Sequence, residues 1–462
     1  MVIGAAAKDV AALGGPDHAC SNHPGPEPSA EDGTARHPPV QKTGSVVGRW
    51  WCGIDWSETL NDYAVVDEAG AVVARGRIPA TPEGVAELLS ELSGLNRSRR
   101  FHRRQVPIAI ETDQGLLVGA LRQQGQEIIA ITPSVVARYR GRMGPGKKKS
   151  DPGDAVMLAN AVRVDGHLHR AMHHSSEQAT ALRILSHAQV QATAKRQQYL
   201  LRIRSILRDY FPAALEAWAD RPGGILRPEA RAVLAVGPTP ARAANLDIPT
   251  LASLLESAGR TRLINDHAVH LRRHYRDPEQ RLRQLPAVED AHGERMLATL
   301  GQLNEACRTV DALTAKLTEA FSAHPHAPIY RSFPGCGALI GARLLGEIGD
   351  DPHRFDTARG LRAYAGANPL TWASGNTRAV THRKTANRIL KFSGHQWAFA
   401  TLTCSPGCRR HYDRRKEAGD RNAAALRNLY GRLLSALHHC LTTGQPYRED
   451  IAFPPDPPAS TP

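Results

Sequence analysis

The order of apolar runs between Arg49 and residue 172 constrains the fold of this chain more than any other feature. Three β-rich runs come first, WWCGIDWS, DYAVVDEAG and AVVARGRI, and a Glu-Ala-Gly turn joins the second to the third. Thr81 and Pro82 then open an amphipathic stretch, after which the continuous apolar runs VPIAIETD and EIIAITP alternate with helical stretches. A three-stranded meander that continues as alternating strands and helices predicts a mixed β-sheet flanked by helices, which is an α/β domain.

The rest of the chain has mainly helical patterns, so the predicted fold class is α/β plus α. From Met296 to Phe321, apolar residues recur at alternating spacings of four and three, with Thr314 as the one polar step. This heptad-like stripe predicts either a helix packed inside its own domain or an intermolecular coiled coil. The predicted segments are a disordered tail over 1–46, the α/β domain over 47–172, a helical and coiled-coil region over 173–325, a mostly helical C-terminal domain over 326–447 and a disordered tail over 448–462.

The charge balance indicates a polyanionic partner. The formal net charge of the chain is +14, and residues 1–46 contribute −2 of it, which leaves +16 on the remainder. Nucleic acid is the commonest polyanion for such a surface, although plain solubility charge is the alternative. Seven scattered cysteines argue against a disulfide framework, and neither a secretory signal nor a membrane span is evident. We therefore expect a cytoplasmic protein that does not contact membranes.

Four carboxylates stand where predicted strands end or where a predicted helix begins. Asp55 ends the first strand and Glu111 ends the fourth, and Asp151 and Asp154 flank the start of the last helix of the sheet domain. Sites in α/β sheets form beyond the carboxyl ends of the strands, so Asp55 and Glu111 meet there if their strands are neighbours. Asp151 and Asp154, three residues apart, can share one helix face. We interpret Asp62, Asp67 and Asp113 as turn or surface residues.

Converging carboxylates repel one another unless a cation lies among them. Mg²⁺ suits such oxygen ligands, and two ions can clamp both sides of a phosphodiester during an in-line displacement. The three lysines directly before the acids, Lys147, Lys148 and Lys149, would neutralise the neighbouring strand. The alternative is structural, since Ser150 or Asp151 could cap the helix and acids in a first turn are favoured by the helix dipole.

An ordered set of motifs makes the chain resemble a known family. GIDWS, IAIET and KSDPGDA, followed by PGCGALIGARLLGEIGDDPHRF, LRAYAGANP, ASGNTR and KTANRIL, resemble the insertion-sequence family one-hundred-and-ten transposases, which are related to Piv-type DNA invertases. The likeness covers residues 47–172 and 328–405 well and the helical middle loosely. It implies a ribonuclease-H-like domain similar to the RuvC resolvase. It also implies that the metal-binding and catalytic acids of the DEDD motif are Asp55, Glu111, Asp151 and Asp154.

The resemblance further implies a serine nucleophile, Ser374, in a polar, basic loop that runs into a helix. A serine hydroxyl can displace a phosphodiester oxygen and hold the strand covalently. The basic residues that follow would bind phosphates: Arg378, His382, Arg383, Lys384, Arg388 and Lys391. The turn at Gly335 and Gly337 either binds backbone phosphate at a helix start or is required for packing. Ala386 and GANPL depart from the family pattern at positions without a proposed chemical role.

The resemblance also implies several partners. They are double-stranded DNA at the element ends and the target, a structured noncoding (bridge) RNA that guides the protein, and further copies of the chain in a dimer or tetramer. In such an oligomer the acids of one protomer complete the serine site of another, and the heptad-like stripe is a candidate contact.

Three other interpretations remain open at this point. The first is a RuvC-like junction nuclease that uses water, and the second is a degenerate copy without catalysis. The third is an actin-fold kinase-like protein, because GIDWSETLNDYAVVDEAG resembles a phosphate loop, although no second Gly-rich loop follows. Cys404, Cys408 and His411 have the spacing of zinc ligands without a convincing fourth member.

Overall fold

The structure is a computed structural model that describes residues 49–95, 102–142, 150–169, 172, 175–276, 282–374, 377–383 and 385–454. Within these ranges it describes the backbone alone for Arg103, Arg142, residues 371–374 and 377–380, and His382. The chain divides into two compact units at Ser175. We call the described residues up to 172 the sheet unit and those from 175 to 454 the helical unit. The predicted tail over 1–46 lies outside the described residues.

The sheet unit contains one five-stranded mixed sheet. Its strands are β1 (Trp51–Asp55), β2 (Leu60–Val66), β3 (Val72–Pro79), β4 (Ile108–Ile110) and β5 (Ile128–Ala130). The strand order is β3-β2-β1-β4-β5. β1, β2 and β3 form an antiparallel meander, whereas β4 pairs in parallel with β1 and β5 in parallel with β4. The predicted mixed sheet, with its meander followed by parallel strands, is confirmed.

Helices cover both faces of this sheet. They are α1 (Pro82–Gly94), α2 (Leu116–Gln123), α3 (Pro133–Arg142) and α4 (Asp151–Asp165). α1 begins as predicted, because Thr81 Oγ1 accepts a hydrogen bond from the Gly84 amide at 3.3 Å. Side chains alternate along β4, so Ile108 and Ile110 pack with α1 and α2. Ala109, between them, packs with α3 and α4 on the opposite face.

Gly53 fixes how closely α4 approaches the sheet. A Cβ atom at this position would lie 2.0 Å from the carbonyl oxygen of Ala155 and 2.5 Å from the amide nitrogen of Ala159. Both atoms belong to the backbone of α4 and cannot move away individually. Only glycine therefore allows α4 to lie directly on β1, with its first turn beside the carboxyl ends of the strands.

The helical unit begins with a bundle of seven helices among the described residues. They are α5 (Glu177–Tyr210), α6 (Pro212–Glu216), α7 (Pro228–Val236), α8 (Pro240–Ala244), α9 (Ile248–Ser257), α10 (Ile264–Tyr275) and α11 (Pro286–Ser322). The stripe from Met296 to Phe321 is buried along α11 and packs on α5 within the same chain. Thr314, the one polar residue of the stripe, has a hydrogen-bond partner on α5, because Gln189 Nε2 donates to Thr314 Oγ1 at 3.1 Å. Of the two alternatives for the stripe, the structure shows packing inside the chain.

The C-terminal part of this unit packs helices around a second core. Its helices are α12 (Ala327–Arg331), α13 (Ala338–Ile348), α14 (Ala358–Tyr364), α15 (Arg388–Thr401), α16 (Pro406–Glu417), α17 (Asn422–Thr443) and α18 (Glu449–Ala452). Two strands, β6 (Pro369–Ser374) and β7 (Thr377–His382), form an antiparallel hairpin before α15. We predicted a loop here, and that prediction is wrong. β-Branched and aromatic residues in both halves, with Gly-Asn between them, are typical of a two-residue hairpin.

The predicted disorder of the segment 448–462 does not hold at its start. The carboxylate of Glu449 accepts hydrogen bonds from the Gly407 amide at 2.7 Å and from Ser405 Oγ at 2.8 Å. The Phe453 side chain is buried against the same region. These contacts hold α18 in place, while residues 455–462 lie outside the described residues. No helix within the described residues combines the length and apolar character that crossing a membrane requires.

Candidate active site

Asp55 and Glu111 lie at the same edge of the sheet. β1 and β4 are parallel neighbours, and Ile54 pairs in register with Ile110. Each acid is the next residue after a member of this pair, so both carboxylates stand where two adjacent strands end. We predicted that Asp55 and Glu111 would meet if their strands were neighbours, and the strands are neighbours.

Asp154 reaches this edge from the first turn of α4 and is bound there by Arg140. The Asp154 side chain is buried. Arg140 donates two hydrogen bonds to it, from Nε to Oδ1 at 3.0 Å and from Nη2 to Oδ2 at 2.7 Å. The same Nη2 lies 3.7 Å from Glu111 Oε1. The hydrogen bond to Asp154, together with the charges of Asp154, Glu111 and Asp55, raises the pKa of Arg140 despite its partial burial. One guanidinium thus interacts with three of the four predicted acids.

The sequence analysis missed Arg140, which α3 presents to the acids. Its neighbour Tyr139 donates a hydrogen bond to Asp165 Oδ2 at 2.7 Å, at the last residue of α4. Tyr139 and Arg140 therefore bind opposite ends of α4 and fix the position of α3. The sequence pattern indicates this role of Arg140 only weakly, because a basic residue in an exposed helix usually faces water.

Asp151 differs from the other three acids. It is the first residue of α4 and is exposed, whereas the ion pairs of Arg140 within the described residues are with Asp154 and Glu111. Ser150 occupies the N-cap position, but its side chain makes no capping hydrogen bond to the described backbone. The capping explanation is therefore not realised for Ser150. Lys147, Lys148 and Lys149 lie outside the described residues.

The interpretation of Asp62 as a turn or surface residue is wrong. It lies in β2, directly opposite Asp55 in the ladder, and is only 7% exposed. Arg77 on β3 binds both of its carboxylate oxygens, with Nε 3.3 Å from Oδ1 and 3.2 Å from Oδ2. This carboxylate is thus a structural partner of Arg77 in the sheet and is neither a turn nor a surface residue.

The donor chemistry of this edge fits a hard divalent cation such as Mg²⁺. Within the described ranges, no three Asp, Glu, His or Cys side chains converge closely enough to hold a metal ion directly. The groups that approach one another are carboxylate oxygens, and they are drawn together by the positive charge of Arg140. Carboxylate oxygens are the ligands that Mg²⁺ prefers, and metal binding by these acids stays a prediction.

Ser374 is the last residue of β6 and pairs in the ladder with Thr377 on β7. It therefore lies at the tip of the hairpin, and Arg378 follows on the opposite strand. Arg383 is half-buried, and its Nε has no hydrogen-bond partner among the described residues. Arg388 and Lys391, in the first turn of α15, are exposed, whereas Lys384 lies outside the described residues.

A buried polar network anchors the end of this hairpin segment. Asn387 caps α15 by accepting a hydrogen bond from the Leu390 amide at 2.9 Å. Its Nδ2 donates to Glu347 Oε2 at 2.5 Å and to the Tyr364 hydroxyl at 3.0 Å. Glu347 is fully buried, and its other oxygen lies 2.6 Å from His187 Nε2. The network ties the start of α15 to α13, α14 and α5.

The two glycines of the predicted phosphate turn have different roles. Gly335 has φ +67°, and a Cβ there would lie 3.0 Å from backbone atoms of Ala400 and Thr401. This geometry supports the packing alternative for Gly335. Gly337 is exposed at the start of α13, with nothing within 4 Å of a Cβ, so contact with phosphate stays a prediction for it alone.

Cys404, Cys408 and His411, which have the spacing of zinc ligands, make contacts with protein groups instead. Cys404 Sγ lies 3.4 Å from the Ala400 carbonyl oxygen, and Cys408 is buried in the core. His411 Nε2 hydrogen-bonds Asn428 Oδ1 at 3.1 Å. Burial, followed by nearby arginines, lowers the pKa of His411.

Comparison with known proteins agrees with the motif-based resemblance. A DEDD-type family model described as a transposase matches residues 52–212, and a model described as a transposase of the IS116/IS110/IS902 family matches residues 327–413. The DEDD model implies a ribonuclease-H-like domain, with which the mixed five-stranded sheet is consistent.

Full-length relatives extend this match. The chain is 47% identical over 405 residues to the "Mini-circle putative transposase for IS117" of Streptomyces coelicolor, which covers 88% of this chain and 97% of the relative. It is 28% identical over 414 residues to an uncharacterized 43.6 kDa protein of insertion element IS110 from the same organism, covering 86% and 94%. It is 26% identical over 404 residues to an uncharacterized 42 kDa protein of IS900 from Mycobacterium paratuberculosis, covering 84% and 94%. The chain therefore belongs to the IS110 family of transposases.

Proposed function

We propose that this transposase cleaves and exchanges DNA strands of its insertion sequence at the edge formed by Asp55, Glu111 and Asp154. The observation that carries the proposal is the position of these three acids around Arg140, at the ends of two parallel strands. A site that gathers carboxylates beyond adjacent strand ends is typical of metal-assisted chemistry on phosphodiesters.

DEDD-type transposase domains typically use divalent metal, and the residues that would hold it here are Asp55, Glu111 and Asp154, with Asp151 on the same helix. Bound Mg²⁺ would polarise the scissile phosphate and stabilise the charge that develops on it. Arg140 orients Asp154 towards Glu111 through its bidentate pair of hydrogen bonds. Gly53 places α4 so that Asp154 can reach the edge at all.

Ser374 is the nucleophile in this proposal. Its Oγ forms a bond to phosphorus as the P–O bond of the DNA backbone breaks, and the departing oxygen leaves as a strand-end hydroxyl after taking up a proton. The serine proton passes to a base of the assembled site. The phosphoserine linkage conserves the bond energy for rejoining the strand to a new partner. The position at a hairpin tip supports this role, because a tip can be presented to DNA.

The remaining partners follow from the family resemblance and the charge. Double-stranded DNA of the element ends and the target, and a structured guide RNA, both suit a chain of net charge +14. The proposed dimer or tetramer must use a surface other than the stripe of α11, because that stripe is covered by α5. Acids of one protomer would complete the serine site of another.

A covalent-adduct assay tests the chemistry. Purified protein is incubated with Mg²⁺, labelled element-end DNA and RNA transcribed from the flanks of the coding region, and DNA–protein adducts are resolved under denaturing conditions. Wild type and Thr381→Ala should form the adduct, whereas Ser374→Ala should not. Thr381 is a matched control because it is an exposed hydroxyl residue on the same hairpin.

The same assay separates the alternatives. DNA cleavage without any adduct would favour a junction nuclease that uses water and would remove Ser374 from the mechanism. An adduct that persists in Ser374→Ala would place the nucleophile elsewhere.

A further inference from the structure

A cavity of about 650 Å³ lies in the C-terminal part of the helical unit, and its lining includes none of the residues proposed above for catalysis. One wall is the middle of α17, with Asn428, Arg432 and Ser435. Arg362 on α14 and the segment from Gln445 to Ala452 form the others. Its size falls within the range of about 300–1,000 Å³ that is usual for small-molecule sites.

The charge of the cavity wall is one-sided. Among the described residues, the lining has no aspartate or glutamate but includes three arginines and two histidines: Arg362, Arg432, Arg448, His411 and His439. Two of the arginines have partners that hold them in place. Arg432 Nε donates to the Ala452 carbonyl at 2.7 Å, and Arg448 pairs with the exposed Asp450 at 2.6 Å.

Arg362 differs from the other two. Its Nε is enclosed and has no hydrogen-bond partner within the described part of the chain. Enclosed charged groups are normally paired, because an unpaired one loses its hydration without compensation. Arg362 as a whole is half-buried, and no carboxylate of the described residues lines the cavity beside it, so an anion supplied by a ligand is the partner that its guanidinium would take.

The remaining lining fits the other parts of a nucleotide. Three amide side chains lie in the lining. Asn368 Nδ2 donates to the Arg359 carbonyl at 3.0 Å and Asn428 Oδ1 contacts His411 at 3.1 Å, so their remaining amide groups and that of Gln445 can pair with the edge of a base. Pro446, Ile451 and the Tyr447 ring offer apolar surface to a base and a sugar. The Tyr447 ring is fixed, since it packs on Phe333 with the ring centroids 4.4 Å apart.

We propose that this cavity binds one phosphorylated nucleotide of an unpaired nucleic-acid strand, with its phosphate beside Arg362. The inference rests on the proposed function only in that the protein handles nucleic acid. A single nucleotide fits a cavity of about 650 Å³, whereas the stacked and paired bases of a duplex cannot enter a cavity of that size. The ligand is thus a strand end or a nucleotide displaced from a duplex, and it comes from either DNA or RNA.

Direct binding measurements on the full-length protein test this inference. Calorimetry in buffer without divalent ions compares 5′-phosphorylated trinucleotides of DNA, the same trinucleotides of RNA, and inorganic phosphate. Arg362→Gln should weaken trinucleotide binding about 10- to 100-fold, the usual value of a charge-assisted hydrogen bond. Arg359→Gln is the matched control, because Arg359 is exposed on the same helix and does not line the cavity. It should change the affinity less than about 2-fold.

A second measurement does not depend on the folding of a variant. Trinucleotides that carry 5-iodouracil are photo-crosslinked to the wild-type protein, and the site is mapped by mass spectrometry. Crosslinks should fall on Tyr447 or its neighbours in the cavity wall. Crosslinks confined to other regions, equal trinucleotide affinity in Arg362→Gln and wild type, or inorganic phosphate binding as tightly as the trinucleotide would each overturn the proposal.

The trinucleotide-binding experiments and the covalent-adduct assay can fail independently of each other. Normal adduct formation without trinucleotide binding would remove the cavity proposal alone. Trinucleotide binding without any adduct would leave the cavity as a nucleotide site and remove the serine chemistry.

Discussion

Arg140 shows how one residue organises the candidate site. It binds a buried carboxylate through two hydrogen bonds and approaches a second carboxylate, while 41% of its own side chain stays exposed. A buried carboxylate without a partner is destabilising, so the guanidinium stabilises this edge of the sheet when no metal is bound. Arg140 is therefore a positioning residue in the proposed reaction.

Arg140→Gln should lower the stability of the metal-free protein. We expect a loss of about 1–2 kcal/mol in the free energy of unfolding, because Asp154 loses its charged partner while the exposure of Arg140 limits the effect. Urea denaturation in the presence of a chelator measures it. Arg138→Gln, at an exposed position of the same helix, is the control and should change the stability little. Equal midpoints for the two variants would show that the hydrogen bonds do not stabilise the edge.

His267 should make the helical unit sensitive to acid. Burial, followed by the charges of Arg260 and Arg221, lowers the pKa of His267 to about 4, from 6.5. Between these values the unfolded chain binds a proton that the folded chain excludes, so stability is lost as the pH falls from about 6.5 towards 4. We expect His267→Gln to reduce the loss between pH 7 and pH 5 by about 1–2 kcal/mol, measured by urea denaturation. An unchanged pH dependence would contradict the assigned cause.

At the scale of the elements, α4 packs on the sheet through a close backbone approach at Gly53. Gly53→Ala should destabilise the protein by about 3 kcal/mol, because the new methyl group would overlap the α4 backbone. Gly119→Ala on α2 is the matched control, since nothing lies within 4 Å of its Cβ position, and it should be neutral or slightly stabilising. Thermal unfolding of the two variants compares them. Similar melting temperatures would mean that α4 does not lie as close to β1 as described.

The sequence predicted those elements whose pattern is local. The five strands of the sheet unit alternate or run apolar in ways that identify them, and Asp55 ends one of them while Glu111 directly follows another. The β6–β7 hairpin was missed because its basic residues suggested a loop, although the hairpin signal was present. The contact of Arg140 with Asp154 could not be predicted, because it depends on how α3 crosses α4. The burial of Asp62 likewise depends on a partner fifteen residues away.

At the scale of the whole molecule, the net charge of +14 should govern affinity for DNA. Binding of six or more phosphates would make the affinity fall by about 10³-fold or more between 50 and 200 mM salt. Fluorescence anisotropy with element-end DNA measures the slope. Replacing Lys147, Lys148 and Lys149 together by alanine should reduce that slope by about 2–3 if each contacts a phosphate. An unchanged slope would mean that the three lysines do not contact the DNA.

The two compact units divide the proposed chemistry between them. The acids belong to the sheet unit and Ser374 belongs to the helical unit, so the strand transfer that we propose would require both. The central claim is that the acids act on the phosphate that the serine attacks. Glu111 is the informative acid, because its side chain is partly exposed at the edge and is not needed to hold Arg140 on Asp154.

The most direct test compares covalent-adduct formation by Glu111→Gln and Asp113→Asn with that of wild type. Asp113 is an exposed acid two residues beyond Glu111 and serves as the matched control. We expect Glu111→Gln to reduce the rate of adduct formation by about 10²-fold or more, whereas Asp113→Asn keeps the wild-type rate. Adduct formation by Glu111→Gln at the wild-type rate would contradict the claim that this carboxylate acts at the serine-attacked phosphate.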